Sequence, residues 1–502
     1  MFPALEDYAM KRNRAGITSA ILGAMLLVCG NVRAQAEEGK IADEPQLPPG
    51  GDVTLPASPQ PQAALIIEMP PITPGPAMTL DDALRKADQR NLTLEVARVE
   101  VDKAAAQLKQ AYALVLPGIQ AKMTLMHRDH EDAFSFGDSL PPELASAMGD
   151  VPATVIAPQQ DLTGVLEAGM TLINAQSWFT IGAAKKGVEA ARLAVEDGRQ
   201  LLLLGVSQAF YVAMMTRSLI DLYEEQIRST QHHLDVARAR YEAGAGLRID
   251  VIRAETELES ARQDLLKAHF SFDNARDTLG ELTGSDDLPL PVEAALAAAP
   301  AGDDAALVKA ASASRSDLAA KRAIIGAMEK QLDAAWMQFL PTVDVGWQLQ
   351  YQFTKPGDMG SDDRSRWALV FTLSVPIYNH FRYGDLDYKR AALSQAMIDE
   401  ENKASHLGVE VRSARRDYLS ALSANAIAER QVALAREALT LIEASYEAGT
   451  GTSLDVTDAR RTISAANVNL ITTRLKAQIA LLALLRAAGR DMQTVAAPPA
   501  AE

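Results

Sequence analysis

The densest set of metal-ligand residue types in the chain is His127-Arg128-Asp129-His130-Glu131-Asp132. Imidazole beside carboxylate suits a divalent cation, but an uninterrupted polar run between two alternating stretches reads more simply as a solvated loop. His232 and His233 fall in a helical stretch and read as surface residues. The sixteen Met residues are scattered and form no soft-metal set. No phosphate-cradling Gly loop, no paired catalytic carboxylates and no Ser/His/Asp arrangement stands out. The sequence thus gives no catalytic residue, no metal site and no cofactor. Cys29 is the only cysteine, which excludes a disulfide framework and a thiolate cluster. With 49 basic and 65 acidic residues the net charge is −16, so no nucleic-acid-binding face is expected.

Residues 1–36 read as an export signal. Lys11, Arg12 and Arg14 precede an uncharged, mostly apolar run from Ala15 to Gly30, and Ala34-Gln35-Ala36 supplies the small-x-small cleavage pattern. Starting at Met10 would give this signal its ordinary length. Val28 sits where a lipoprotein signal wants a small residue, which disfavours lipidation of Cys29. Cleavage after Ala36 would remove Cys29 with four basic and two acidic residues, leaving −18. Residues 37–78 form a tether, with ten prolines from Pro45 to Pro76. No later segment reads as a membrane-spanning helix; the best, 201–215, is short and broken by Ser207 and Gln208. An exported chain without such a helix is either soluble or a β-barrel.

The elements that follow come in two similar sets. Tyr241-Glu242-Ala243-Gly244 recurs as Tyr446-Glu447-Ala448-Gly449, an offset of 205 that also places Asp250 on Asp455. Leu116-Pro117 has a counterpart in Leu340-Pro341. The first repeat covers 79–284, a link covers 285–304, the second repeat covers 305–490 and a tail covers 491–502. Thr79 predicts a helix N-cap, opening a helix over 80–115. A helix over 177–243 would be roughly 100 Å long at the usual rise, and 80–115 and 250–282 are each about half of that. Leu258, Leu265, Phe272 and Leu279 repeat every seven residues, as do Ile463, Leu470, Ala477 and Leu484, which predicts supercoiled helices.

Between the helices lie strands of strict period two. Val343, Val345, Trp347, Leu349, Tyr351 and Phe353 alternate with Asp344, Gly346, Gln348, Gln350 and Gln352. Similar runs predict strands at about 118–128, 163–174, 342–353 and 366–376. Each has about the length a tilted strand needs to cross a bilayer. Four strands cannot close a membrane barrel, and an open edge in lipid is prohibitively costly. The barrel reading therefore requires several copies, each contributing four strands.

With the duplicated order, the Leu-Pro before each strand pair, Ser374-Val375-Pro376-Ile377-Tyr378 and the two Tyr-x-x-Gly turns, the chain resembles the TolC family of outer-membrane efflux and secretion channels over about 79–489. The resemblance implies a long-helix α-barrel tunnel in the periplasm below a trimeric 12-stranded outer-membrane β-barrel. It implies partnership with a periplasmic adaptor and an inner-membrane pump, contact with outer-membrane lipid and no catalysis. Asp455 and Asp458 match the acidic pair that lines the closed tip, where three copies would stack two carboxylate rings. Asp455 near a helix start is also favourable without any pore. Tyr446 and Asp250 match a closed-state lock. Gly244, Gly246, Leu247, Gly449, Thr450 and Gly451 match the adaptor-docking tips. Gly451 replaces a linking Arg found in some members, with Arg248 as its candidate substitute. The rival readings are a soluble periplasmic coiled-coil adaptor and an exported enzyme, the latter with no motif behind it.

Overall fold

The computed structural model describes residues 72–134, 141, 154–285, 288–292, 297–354 and 363–496. The export signal, Cys29 and the tether up to 71 lie outside the described residues. Thr79 caps α1 (Leu80–Arg90), its Oγ1 accepting the Asp82 amide at 3.2 Å. The helix then stops at Asn91, whose extended backbone closes α1 and whose side-chain oxygen accepts the Leu94 amide at 3.1 Å to open α2 (Leu92–Ala113). The single helix expected over 80–115 is thus two, because a side chain that caps the next turn competes with continuation. In the second half, Arg315 marks the same break between α5 (Asp304–Ser314) and α6 (Ser316–Met337).

Two helices of 68 residues, α3 (Ala175–Glu242) and α7 (His380–Glu447), run the length of the molecule. At 1.5 Å per residue each spans roughly 100 Å. Toward one end α3 pairs with α4 (Arg248–Thr283) and α7 with α8 (Ser453–Ala487), forming two hairpins. Toward the other end α2 and α6 take those places against α3.

The main core lies between these levels, where Leu80 and Leu84 of α1 meet Leu203, Val206 and Phe210 of α3 and Leu482 and Leu485 of α8. Order reaches past both expected limits here. Met78 is 1% exposed, and β1 (Ala77–Met78) pairs in parallel with β6 (Leu290–Pro291) of the link. Beyond 490, a 3₁₀ turn (Met492–Ala496) buries Met492 and Val495 in the same core. Apolar side chains set in polar or Pro-rich surroundings gain by filling a core that only the folded chain provides. Arg276, 0% exposed, fixes the link by donating to the carbonyls of Pro289 and Leu288. By length and composition alone α3 and α8 could cross a membrane, contrary to the expectation that no helix would. Part of each apolar stretch is buried in this core.

At the far end of the bundle one antiparallel sheet runs in the order β2 (Gly118–His127), β5 (Gln160–Ile173), β7 (Thr342–Gln352), β8 (Ser365–Ser374). Beyond β2 and β5, β3 (Asp132–Phe134) and β4 (Thr154–Ala157) form a small separate ladder, so the polar run at 127–132 leads into a ribbon and is more than a loop.

Candidate functional site

Register across the sheet sorts its side chains into two unlike faces. Ile119, Ala168, Trp347 and Leu369 stand in one row, and Ala121, Leu166, Leu349 and Trp367 in the next row on that face. On the opposite face the rows read Gln120, Glu167, Gln348, Ala368 and Lys122, Val165, Gln350, Arg366. The polar face is internally bonded. Gln120 Nε2 donates to Glu167 at 2.6 Å, Thr171 Oγ1 to Asp344 at 2.7 Å and Gln352 Nε2 to Asp161 at 3.1 Å. The apolar face is bare: Trp367 is 71% exposed and Phe371 66%. At about 25 cal/mol per Å² of apolar surface, such a face needs an apolar medium against it. Among the described residues the edges β2 and β8 carry no partner strand. In the ribbon beyond, His130 lies between Asp129 at 2.8 Å and Asp132 at 3.8 Å, all well exposed. No metal-holding group of three or more such residues occurs among the described residues.

At the opposite end the two hairpins turn. Gly244 (φ 70°) and Gly449 (φ 79°) take the left-handed backbone that ends each long helix. A Cβ on Gly451 would lie 3.0 Å from the Tyr446 nitrogen, so a larger side chain there would need the neighbouring backbone to give way. Thr452 and Asp455 form a capping box, with the Asp455 amide donating to Thr452 Oγ1 at 3.2 Å and the Thr452 amide to Asp455 Oδ2 at 3.1 Å. Hydrogen bonds from Thr452 hold the Asp455 carboxyl below its ordinary pKa. Asp458 sits one turn on, also exposed, while Val456 and Ala459 of the same turns are buried. The two carboxylates thus share the face of α8 turned away from the chain's own packing.

The expected Tyr446–Asp250 hydrogen bond is not formed. Tyr446 is 8% exposed, with the Arg240 guanidinium 4.2 Å from its ring centroid and the His233 ring at 6.0 Å. Arg240 Nη2 also donates to the carbonyls of Tyr446 (3.0 Å) and Glu447 (3.2 Å). One planar cation here covers an aromatic face and caps carbonyls left open at the helix end. Asp250 instead faces Arg253 at 3.8 Å. Arg240 thus makes the cross-hairpin link for which Arg248 was the candidate.

A second link comes from Arg460 of α8. Its Nη1 donates to Ser229 O at 2.7 Å and Ser229 Oγ at 2.9 Å, and its Nη2 to Glu443 at 2.7 Å. Ser464 Oγ donates to Gln226 at 2.7 Å. Sequence reading missed Arg240 and Arg460. No pattern in the sequence singled either out. Nor is His233 a surface residue: it is 3% exposed between α3 and its neighbours.

Comparison with known proteins agrees with this fold. The family model described as "Outer membrane efflux protein" matches residues 83–285 and 307–490. Outer membrane protein TolC of Vibrio cholerae is 24% identical over 337 residues, covering 65% of this chain and 77% of that protein. Outer membrane protein OprJ of Pseudomonas aeruginosa is 25% identical over 413 residues, covering 80% of this chain and 81% of that one. The open-state crystal structure of the Neisseria gonorrhoeae MtrE outer membrane channel superposes with a TM-score of 0.66 at 20% identity, over 82% of this chain and 89% of that one.

Proposed function

The chain belongs to the outer membrane efflux protein family, and from that premise we propose that it is the passive, gated exit duct of a tripartite efflux or secretion assembly. It sits in the outer membrane with a helical tunnel in the periplasm, and the soluble-adaptor reading falls away. Three copies would pool four strands each into a 12-stranded barrel, and the long helices would continue it as an α-barrel. The two halves, with helices of 11, 22 and 68 residues in each, fit an internal duplication. The chain would perform no catalysis; a periplasmic adaptor would dock on Gly244, Gly246 and Leu247 and on Gly449, Thr450 and Gly451, and an inner-membrane pump would choose the cargo.

The observation that carries this reading is the sheet. It is apolar and bare on one face, polar and bonded on the other, and unpartnered at both edges among the described residues. Lipid on the first face, water on the second and other copies at the edges satisfy all three conditions together. The detergent-purified chain should run as a trimer and conduct in planar bilayers. A monomer soluble without detergent and silent in bilayers would end the reading.

At the tip, Asp455 and Asp458 would face the axis as two carboxylate rings that bind cations and narrow the pore. Replacing both with Asn should remove most of the block of single-channel current by divalent cations. Unchanged block would take the gate role from them.

A further inference from the structure

Among the described residues eight buried side-chain nitrogen or oxygen atoms lack a hydrogen-bond partner, and five of them gather where the hairpins meet: His233 Nε2, Glu257 Oε2, Ser453 Oγ, Thr457 Oγ1 and Arg460 Nε. Their residues come from α3, α4 and α8. Interiors rarely leave polar atoms unpaired, and a concentration at one seam marks a contact held at a cost. We propose that His233 is a proton-operated release for this seam: a proton on its imidazole favours the separated hairpins. The proposal rests on reading this end as the closed tip of the duct.

The seam has no place for a charged imidazole. From α8, Arg460 already puts a cation there, and Arg461 acts on neighbouring Glu257. From α7, the Tyr446 ring closes one side, and Glu443 is engaged by Arg460. From α4, Asp250 favours the imidazolium, and from α3 itself His232 opposes it. Burial and Arg460 outweigh Asp250 and push the His233 pKa down to about 4. Its ordinary value, 6.5, returns when the hairpins part and water reaches the ring. A group depressed in this way stabilises the closed seam above pH 6.5, and that stability is lost as pH falls below it. From pH 7.5 to 5.5 His233 by itself should lower the closed-to-separated ratio about tenfold. Glu257 works in the opposite sense. Burial raises its pKa against the pull of Arg460 and Arg461, so the closed seam gains when it is protonated.

The seam can be read directly in the full-length trimer. Spin labels on Asp235→Cys in α3 and Glu437→Cys in α7 report the spacing of the hairpins. Between pH 7.5 and 5.5 the long-distance population should rise relative to the short one, by about tenfold in Glu257→Gln, where the opposing group is gone, and by less in the wild type. His233→Gln should abolish the rise, whereas His232→Gln and Glu257→Gln should retain it. A wild-type distance unmoved by pH, or a rise that persists in His233→Gln, would overturn the proposal. If the distance moves with pH while bilayer conductance does not, the proton release stands and the reading of this end as the gate fails.

Discussion

The two hairpins carry the same ion pair with its charges exchanged. In the first, Arg238 of α3 meets Glu255 of α4 at 2.6 Å; in the second, Glu443 of α7 meets Arg460 of α8 at 2.7 Å. At the offset of 205, Arg238 falls on Glu443 and Glu255 on Arg460. The first pair is about half exposed, at 48% and 47%, whereas Arg460 is only 10% exposed. Exchanging the charges leaves attraction within a hairpin unchanged. It does decide which helix holds the longer side chain. Only from α8 does that side chain also reach Ser229 in the other hairpin, so an inner staple becomes a link between halves.

Arg460→Ala is expected to have the largest effect. It removes charge-assisted bonds to Ser229 and Glu443 at a partly buried site and should cost about 2–3 kcal/mol. Closed-channel leakage in bilayers should rise. Arg238→Ala, at the exposed pair, should cost under about 1 kcal/mol and leave leakage unchanged. Exchanging the second pair, as Arg460→Glu with Glu443→Arg, separates the two roles. It should restore the staple and hence most of the stability, while the channel still leaks because Ser229 has lost its donor. A tight channel in the exchanged variant would show that the link to Ser229 does not hold the hairpins together.

The contrast between these pairs also shows what was legible in the sequence. The four alternating runs and the heptad seams announce strands and paired helices, because each pattern has one period and one consequence. The order of residues along a helix does not say which foreign helix will lie beside it. Hence Arg460 and Arg240 were missed as links, and His233 was placed on the surface although it enters the seam beside Leu234 and Ala237. The Tyr446–Asp250 bond was expected from the resemblance alone. In this chain Arg240 takes the Tyr446 ring, a choice made by tertiary packing. Asn91 was a readable signal, being a strong cap residue, but the apolar pattern running on past it masked the break. Asp455 and Asp458 were legible as a one-faced pair, and the cap that engages Asp455 was legible only as a favourable helix start.

The turns at the two tips differ in the same spirit, and on a smaller scale. Thr452 caps α8 through the box with Asp455, whereas Leu247, at the equivalent position, gives α4 no side-chain cap although Asp250 stands three residues on. Thr452→Ala should therefore cost about 1 kcal/mol. The carboxylate half of the box depends on Asp455 being ionised. Its pKa is lowered by the box, so that contribution is present above the ordinary carboxylate range and lost as pH falls through the lowered value. Leu247→Thr supplies the missing half to the first tip. Leu247 is 67% exposed, so little apolar burial is lost, and the introduced hydroxyl would complete a second box with Asp250. The gain should be about 0.5–1 kcal/mol, read as a raised unfolding midpoint. If the adaptor docks on Leu247, the same substitution should weaken adaptor binding while stabilising the helix. Greater stability with undiminished binding would leave docking to the second tip alone.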